Sequence, residues 1–239
     1  MRVVVSFRPT TCVSKTVGTK TIVCLLAALP VFAQSLPDTF AKMDRSSKIF
    51  SGMTADIRQT THTAIVNDDS TQTGTIRLKR VKPTETNFLV DFTQPDPKTV
   101  AIAGGEVSIY IPKTKQVNVY DLRAKRAALE QGMLLGFGAS STDINASYEV
   151  SFVGQETVTG QSAGHIKLVP KSAEVLQSLK SAELWISEAG LPVQQKFMTS
   201  GTGDYTLIQY SNIRVNPSIS DKDLKLTLPK GVQVKKVGK

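Results

Sequence analysis

The chain has 239 residues, a formal net charge of +9 and 40% hydrophobic residues, which fits a folded domain with a sizeable core and excludes a disordered or fibrous chain. Its basic residues are spread over many segments and aromatic residues make up only 6%, so the dense basic stripe with stacking partners of nucleic-acid-binding proteins is missing. Both cysteines, Cys12 and Cys24, precede the predicted folded part, and we expect neither a disulfide nor thiolate chemistry in it.

The N-terminal segment has the pattern of an export signal. Four basic residues precede an apolar run at 21–32, no acidic residue occurs before Asp38, and Val31-Phe32-Ala33 resembles a signal-peptidase site. We predict cleavage after Ala33 and a single domain over residues 34–239. Removing four of the 29 basic residues leaves 25 against 20 acidic residues, a net charge of +5.

Three alternatives to this interpretation exist. The apolar run is about a dozen residues long, which is short of the roughly 20 that a membrane-spanning helix needs. Cys24 as a lipid-attachment site is disfavoured because the apolar run follows this cysteine instead of preceding it. The basic lead-in is long, so the true start codon can lie further along the chain.

After the signal, the pattern predicts a helix and then a strand. Residues 36–50 have apolar residues at helical spacing, with Ser35 or Asp38 as the cap and Pro37 in the first turn. Residues 53–63 alternate with a period of two, which predicts a strand, and residues 67–70 have turn chemistry.

Residues 71–121 predict an antiparallel meander of five strands. Turn signals separate most of the runs, at Pro83, Pro95-Asp96-Pro97, Gly104-Gly105 and Pro112. Within the runs, Ile76 and Leu78 share one face, and so do Phe88, Val90 and Phe92. The sheet should therefore have one apolar face.

A Leu- and Met-rich stretch, residues 122–137, follows and predicts a helix that covers this face, ending in the Gly-rich stop at 136–141. The second half returns to strands at 148–157, 164–169, 182–187, 191–198, 205–215 and 232–237, with alternation at Leu224, Leu226 and Leu228. The fold class is mainly β with a few helices, and the pattern suggests a container for something hydrophobic.

The sequence has no recognisable catalytic or metal-binding motif. We expect His62 and His165 to lie at the surface or at strand ends, because neither has ligand residues at metal-binding spacing. Asp68 and Asp69 are expected to form only a turn. No nucleophile motif, phosphate-binding loop or dinucleotide-binding fingerprint occurs. We therefore predict a protein that is not an enzyme and needs no metal or cofactor.

Arg80 is the unusual residue of the meander. By alternation it falls on the face of Ile76 and Leu78, where a guanidinium is costly unless it is hydrogen-bonded. Its planar set of donors suits backbone carbonyls at a helix end. Alternatively, the strand ends at Lys79 and Arg80 extends from the turn before Pro83. The pattern alone leaves both interpretations open.

Several of these residues, taken in order, resemble the outer-membrane lipoprotein carrier family, LolA. The matching elements are Ala55-x-Ile57-x-Gln59, Gly74-x-Ile76-x-Leu78-Lys79-Arg80, Phe88, Thr93-Gln94-Pro95-Asp96, Gly104, Tyr110-x-Pro112 and Leu226-x-Leu228-Pro229-x-Gly231-Val232-x-Val234. These motifs span nearly the whole predicted mature chain. Each motif is weak alone, but their order together with the export signal is fairly specific.

The resemblance implies an unclosed β-barrel of about eleven antiparallel strands with a helical lid. It also implies a periplasmic shuttle that binds the acyl chains of lipoproteins. An inner-membrane ABC transporter and an outer-membrane acceptor would be its partners. In that family the arginine matching Arg80 latches the lid, and the phenylalanine matching Phe88 lines the sheet nearby.

The predicted binding residues follow from the apolar face and its cover. The lining is predicted to be Ile57, Ile76, Leu78, Phe88, Val90 and Phe92, and the cover to be Leu129, Met133, Leu134 and Phe137. We expect a monomer that binds no nucleic acid.

The sequence departs from the family pattern at two points. The family has proline directly after this arginine, whereas Val81 and Lys82 intervene here, and its tryptophans are replaced by Val90 and Ser108. The cargo therefore stays open between a lipoprotein, a glycolipid and another long-chain lipid. A lipid-sensing envelope regulator on the same fold is an alternative function, and a hydrolase using Ser140, His165 and Asp204 is a third.

Overall fold

The structure is a computed structural model that describes residues 35–82, 85–121 and 135–237. The predicted signal peptide, the cleavage site after Ala33, Pro83 and the predicted cover residues Leu129, Met133 and Leu134 lie outside the described residues. Among the residues described, no helix is long and apolar enough to cross a bilayer.

Twelve strands and three α-helices make up the described chain. The strands are β1 (Gly52–Thr63), β2 (Asp68–Lys82), β3 (Glu85–Gln94), β4 (Lys98–Ala103), β5 (Glu106–Ile111), β6 (Gln116–Asp121), β7 (Tyr148–Val158), β8 (Gln161–Pro170), β9 (Leu179–Ser187), β10 (Pro192–Thr199), β11 (Tyr205–Val215) and β12 (Gln233–Val237). The helices are α1 (Leu36–Ile49), α2 (Ser141–Ser147) and α3 (Ala173–Leu176), and 3-10 turns occur at Pro112–Thr114 and Asp221–Leu224.

All twelve strands belong to one sheet in the order β12-β6-β5-β4-β3-β2-β1-β11-β10-β9-β8-β7. The sheet is not closed, because β12 and β7 each pair with only one neighbour. The predicted fold class is thus confirmed. Eleven strands pair antiparallel, as expected, but β12 runs parallel to β6 and adds a twelfth.

The final strand is parallel because the chain after β11 crosses one face of the sheet before it reaches β6. In this crossing Leu224 is buried against Leu89 and Ala101, with Ile219 and Leu226 packed beside them. The alternation of Leu224, Leu226 and Leu228 predicted a strand, which is wrong. Leu224 ends a 3-10 turn, and residues 225–232 have no regular structure.

Helix α1 begins where the sequence predicts, because Ser35 and Asp38 form a reciprocal capping box. These hydrogen bonds from Ser35 hold the pKa of the Asp38 carboxyl below its usual value. The helix ends at Ile49, where Phe50 is its C-cap, and its buried Met43 packs against Ile166 and other residues of the sheet.

Two local predictions are corrected by the structure. The turn between β1 and β2 lies at 64–67 instead of 67–70, so that Asp68 and Asp69 begin β2. The predicted helix at 122–137 does not reach Phe137, since residues 135–138 form turns. Helix α2 was not predicted, although its capping box at Ser140 and Asp143 was a readable signal.

Candidate functional site

One face of the sheet and three residues packed on it form an extended buried apolar cluster, which we call the apolar face. On the strands its residues are Met53, Ala55, Ile57, Ile76, Leu78, Phe88, Val90, Phe92, Ile102, Val107, Ile208 and Tyr210, and Phe50, Phe137 and Leu191 pack against them from outside the strands. The register explains its continuity: Met53 pairs with Leu78, Leu78 with Phe88, Phe88 with Ile102, and Ile102 with Val107. Neighbouring strands therefore place apolar side chains in one row across β1 to β5.

All six residues predicted to line the site lie on the apolar face. Ile57, Ile76, Leu78, Phe88, Val90 and Phe92 are each 5% exposed or less, and the predicted cover residue Phe137 is 7% exposed and belongs to the same cluster. The structure thus brings these seven residues together. Whether they bind a ligand stays a prediction.

Gly74 allows β2 and β3 to come together at the edge of this face. A side-chain Cβ at position 74 would lie 1.9 Å from the carbonyl oxygen of Asp91. The register also shifts between Thr73 and Gly74, where β2 pairs with Gln94 and Phe92. Only glycine fits this close backbone approach.

Arg80 reaches from β2 to the carbonyl groups of two other segments. Its Nη1 donates to the carbonyl oxygen of Ser47 at 3.3 Å, and its Nη2 donates to that of Gly138 at 2.7 Å. Ser47 lies in the last turn of α1, where carbonyls have no partner within the helix. The guanidinium carbon also lies 5.7 Å from the ring centre of Phe50.

These contacts decide between the two interpretations of Arg80. Strand β2 continues to Lys82, and Arg80 pairs with Thr86 of β3, so the strand does not end at Lys79. The half-buried side chain binds a helix end, as its donor set predicts. The interpretation in which it only extends from a turn is therefore wrong.

Gly138 makes the close approach of Arg80 possible. Its φ is +66°, and a Cβ there would lie 2.1 Å from Nη2 of Arg80 and 2.7 Å from the ring of Phe50. Both the backbone conformation and the crowding therefore require glycine.

A second polar contact holds the turn that contains Gly138, and it comes from β10 and β11. Tyr210 Oη donates to Gln195 Oε1 at 2.7 Å, and Gln195 Nε2 donates to the carbonyl oxygen of Leu135 at 2.5 Å. Gln195 is fully buried and Tyr210 is 1% exposed. Burial raises the pKa of the Tyr210 hydroxyl far above its usual value, so it remains a donor.

We call residues 135–138 the 135–138 turn. Besides Arg80 and Gln195, aromatic packing holds it, because Phe137 contacts Tyr210 edge-to-face with ring centres 5.1 Å apart. Directly after the turn, Ser141 donates from its backbone N–H and its hydroxyl to the carboxylate of Asp44, at 2.6 and 2.8 Å. Sequence reasoning found Arg80 and Phe137 here but missed Gln195 and Tyr210, which no local pattern distinguishes.

His165 is not at the surface, and that prediction is wrong. It is 6% exposed on the face opposite the apolar face, stacked on Trp185 with ring centres 4.0 Å apart. Its Nδ1 lies 2.8 Å from Glu156 and its Nε2 lies 3.1 Å from Glu183. Hydrogen bonds from Trp185 and His165 lower the pKa of Glu156. His62, in contrast, lies near the end of β1, as predicted.

The residues considered for a hydrolase do not form a common site. Ser140 caps α2 through Asp143, Asp204 accepts from the backbone N–H of Ala64, and His165 is held by glutamates. No hydrogen bond joins these three residues in the part of the chain that the structure describes. Within the same residues, no group of three or more His, Cys, Asp or Glu side chains is arranged to hold a metal ion.

Comparison with known families decides the identity of the fold. The family described as outer membrane lipoprotein carrier protein LolA matches residues 48–227. The chain belongs to the LolA family. The matched range contains β1 to β11, Arg80 and every described residue that was predicted to line or cover the site. A sequence search among curated proteins gives no match.

Solved structures agree with a LolA-like fold. The chain is similar to an uncharacterized conserved protein from Thermus thermophilus, with 14% identity, a TM-score of 0.52, and coverage of 85% of this chain and 100% of that one.

Two further solved structures are less similar. The lipoprotein LppX of Mycobacterium tuberculosis has 10% identity, a TM-score of 0.44, and coverage of 78% and 99%. The MucA/MucB complex of Pseudomonas aeruginosa has 14% identity, a TM-score of 0.45, and coverage of 80% and 61%.

Proposed function

We propose that this protein is a carrier without catalysis. It binds the acyl chains of lipoproteins on the apolar face and shuttles them through the periplasm from the inner to the outer membrane. It receives its cargo from an inner-membrane ABC transporter and delivers it to an outer-membrane acceptor, as a monomer and after cleavage behind Ala33. The observation that carries this proposal is the LolA family match over residues 48–227, which coincides with a continuous apolar face.

The size of the acyl chains determines what such a carrier has to achieve. Burying a CH₂ group away from water is favourable by about 0.8 kcal/mol. Complete burial of a 16-carbon chain is therefore favourable by roughly 12 kcal/mol, and that of three chains by roughly 36 kcal/mol. A shuttle must offset only part of this, because its cargo has to leave at the acceptor. We therefore propose that binding is moderate and controlled by a change between two conformations.

Within this proposal, Ile57, Ile76, Leu78, Phe88, Val90 and Phe92 line the site, and Leu129, Met133, Leu134 and Phe137 cover it. Arg80 acts as the latch. Its two hydrogen bonds to the carbonyls of Ser47 and Gly138 support this role, because one side chain joins the end of α1 to the turn that follows the predicted cover.

The test is transfer of a radiolabelled lipoprotein from the carrier to outer-membrane vesicles. We expect Arg80→Leu to fold and to slow or abolish transfer. Arg77→Leu is the matched control, because Arg77 lies on the same strand but on the opposite face, where it pairs with Asp91 at 3.3 Å. Equal transfer rates for wild type and Arg80→Leu would remove Arg80 from the mechanism.

Mass spectrometry of material that copurifies from the native envelope identifies the cargo. Acylated lipoprotein is the expected result. A glycolipid or a free long-chain lipid would support a carrier with a different cargo. Absence of any bound acyl chain in every preparation would contradict the carrier function.

A further inference from the structure

The tip of the β1–β2 hairpin carries the most exposed large apolar side chain among the described residues. Ile65 is 92% exposed and the adjacent Val66 is 67% exposed. The backbone N–H of Asn67 donates to the carbonyl of Ala64 at 3.2 Å, so that Ile65 and Val66 occupy the two central positions of the turn. Such positions favour Gly, Asn, Asp, Pro and Ser, and the pair contributes nothing to turn formation or to the core.

The hairpin projects beyond β3 on one side, whereas on its other side β1 stays paired with β11 out to His62 and Tyr205. β1 and β2 stay paired out to Thr63 and Asp68, whereas β2 pairs with β3 only from Thr73 onward. The five residues from Asp68 to Gln72 span about 17 Å at the rise of a β-strand. The two apolar side chains are thus held well away from the β2–β3 edge of the sheet.

The other side of the hairpin is braced at its base. Asp204 Oδ1 accepts from the backbone N–H of Ala64 at 2.7 Å, and the ring of His62 stacks on Tyr205 with ring centres 4.7 Å apart. His62 Nδ1 also lies 2.8 Å from Asp69. Because these contacts fix the base of the turn, they present Ile65 and Val66 in one orientation.

We propose that this tip docks the protein onto a lipid bilayer by inserting Ile65 and Val66 at the boundary between headgroups and acyl chains. The surface that two side chains on a projecting turn can bury is far smaller than the roughly 800 Å² per partner that a stable protein interface buries. Shallow insertion into a bilayer needs only the burial of the apolar side chains themselves.

The charges beside the tip indicate which lipid surface it fits. Asp68 and Asp69 are exposed next to the turn and Asp204 lies at its base, where one cation, Lys196, lies with its Nζ 4.5 Å from the ring centre of Tyr205. The three carboxylates outnumber this cation. Carboxylates repel anionic lipids, so the partner is a neutral, zwitterionic surface. This inference does not depend on the proposed cargo, because it concerns residues outside the apolar face.

Cosedimentation with phosphatidylcholine vesicles tests the proposal. We expect wild type to bind weakly and reversibly, and Ile65→Ser/Val66→Ser to bind at least about tenfold more weakly. Val153→Ser is the matched control, since Val153 is 54% exposed on the edge strand β7. Ile65→Trp should bind more tightly than wild type, because the indole ring favours the membrane interface.

Three results would overturn the proposal. Wild type fails to bind neutral vesicles, the tip variants bind as wild type does, or binding occurs only on anionic vesicles and disappears with salt. If wild type binds neutral vesicles but transfers no lipoprotein, this result would instead count against the carrier function alone. The far-ultraviolet circular dichroism of both tip variants should match wild type, and Ile65→Trp decides the matter if the double serine variant does not fold.

Discussion

The buried hydrogen-bond chain from Tyr210 through Gln195 to Leu135 allows a quantitative test of how the 135–138 turn is held. Gln195→Leu keeps the approximate volume of the side chain but leaves two buried groups, the Tyr210 hydroxyl and the Leu135 carbonyl, without their partner. Each unsatisfied buried group costs about 1–3 kcal/mol. After the gain from a buried leucine, we expect a net loss of about 3 kcal/mol in unfolding free energy.

Tyr210→Phe removes only one bond and orphans Gln195 Oε1, so it should cost about 1.5 kcal/mol. In the double variant the hydroxyl is gone, and only the Leu135 carbonyl lacks a partner. The double variant should therefore lose about 2 kcal/mol, clearly less than the sum of the single losses.

Urea denaturation measures these losses as shifts of the midpoint at an unchanged slope. Gln194→Leu is the control, because Gln194 is the preceding residue and its side chain accepts from the partly exposed Gln209, at 2.9 Å, instead of from a buried group. It should cost no more than about 0.5 kcal/mol. Strictly additive losses, or a Gln195→Leu variant as stable as wild type, would refute the chain of hydrogen bonds.

Three further predictions concern stability. Gly138→Ala should lower the unfolding free energy, measured with urea, by at least about 1 kcal/mol more than Gly201→Ala does. Both glycines have positive φ, but only a Cβ at position 138 would collide with Arg80. Equal losses would contradict this prediction. Above about pH 10, the raised pKa of Tyr210 should lower the unfolding free energy by up to about 1.4 kcal/mol per pH unit, because only the unfolded state releases this proton. Tyr210→Phe should reduce this dependence of the unfolding free energy on pH. An unchanged dependence would show that Tyr210 does not cause it. His165→Phe should lower the unfolding free energy by about 1–3 kcal/mol, because Glu156 and Glu183 lose the imidazole as their hydrogen-bond partner. Replacing both glutamates by glutamine should recover part of this loss, and a His165→Phe variant as stable as wild type would contradict the prediction.

The strands of the first half were predictable because alternation and turn chemistry act within a few residues. Ile76 and Leu78, like Phe88 and Val90, show the period of two that a sheet with one buried face imposes. The parallel β12 was not predictable from its own residues. Its direction depends on the packing of Leu224 against Leu89 and Ala101, which are more than a hundred residues away in the chain.

The candidate site was predictable to the same extent. Arg80 stood out because a charged residue interrupts an apolar pattern, and its donors require acceptors wherever it is half-buried. Gln195 gave no such signal, since a glutamine on a strand is ordinarily solvent-exposed, and only the fold places Leu135 and Tyr210 beside it. His165 was misjudged for the same reason, because its two carboxylate partners come from β7 and β9.

The contacts on the 135–138 turn have one property in common that bears on the proposed mechanism. Arg80 on β2 and Gln195 on β10 both bind backbone carbonyls, not side chains, and they approach from opposite sides of the β1–β11 pair. Side-chain changes within the turn therefore leave both hydrogen bonds possible, provided that glycine is kept at position 138. Arg80 is accessible enough to exchange its carbonyls for water, whereas Gln195 is fully buried and cannot. If the proposed latch opens, the Arg80 contact should break first while the Gln195 contact holds, which makes the 135–138 turn the fixed end of the movement.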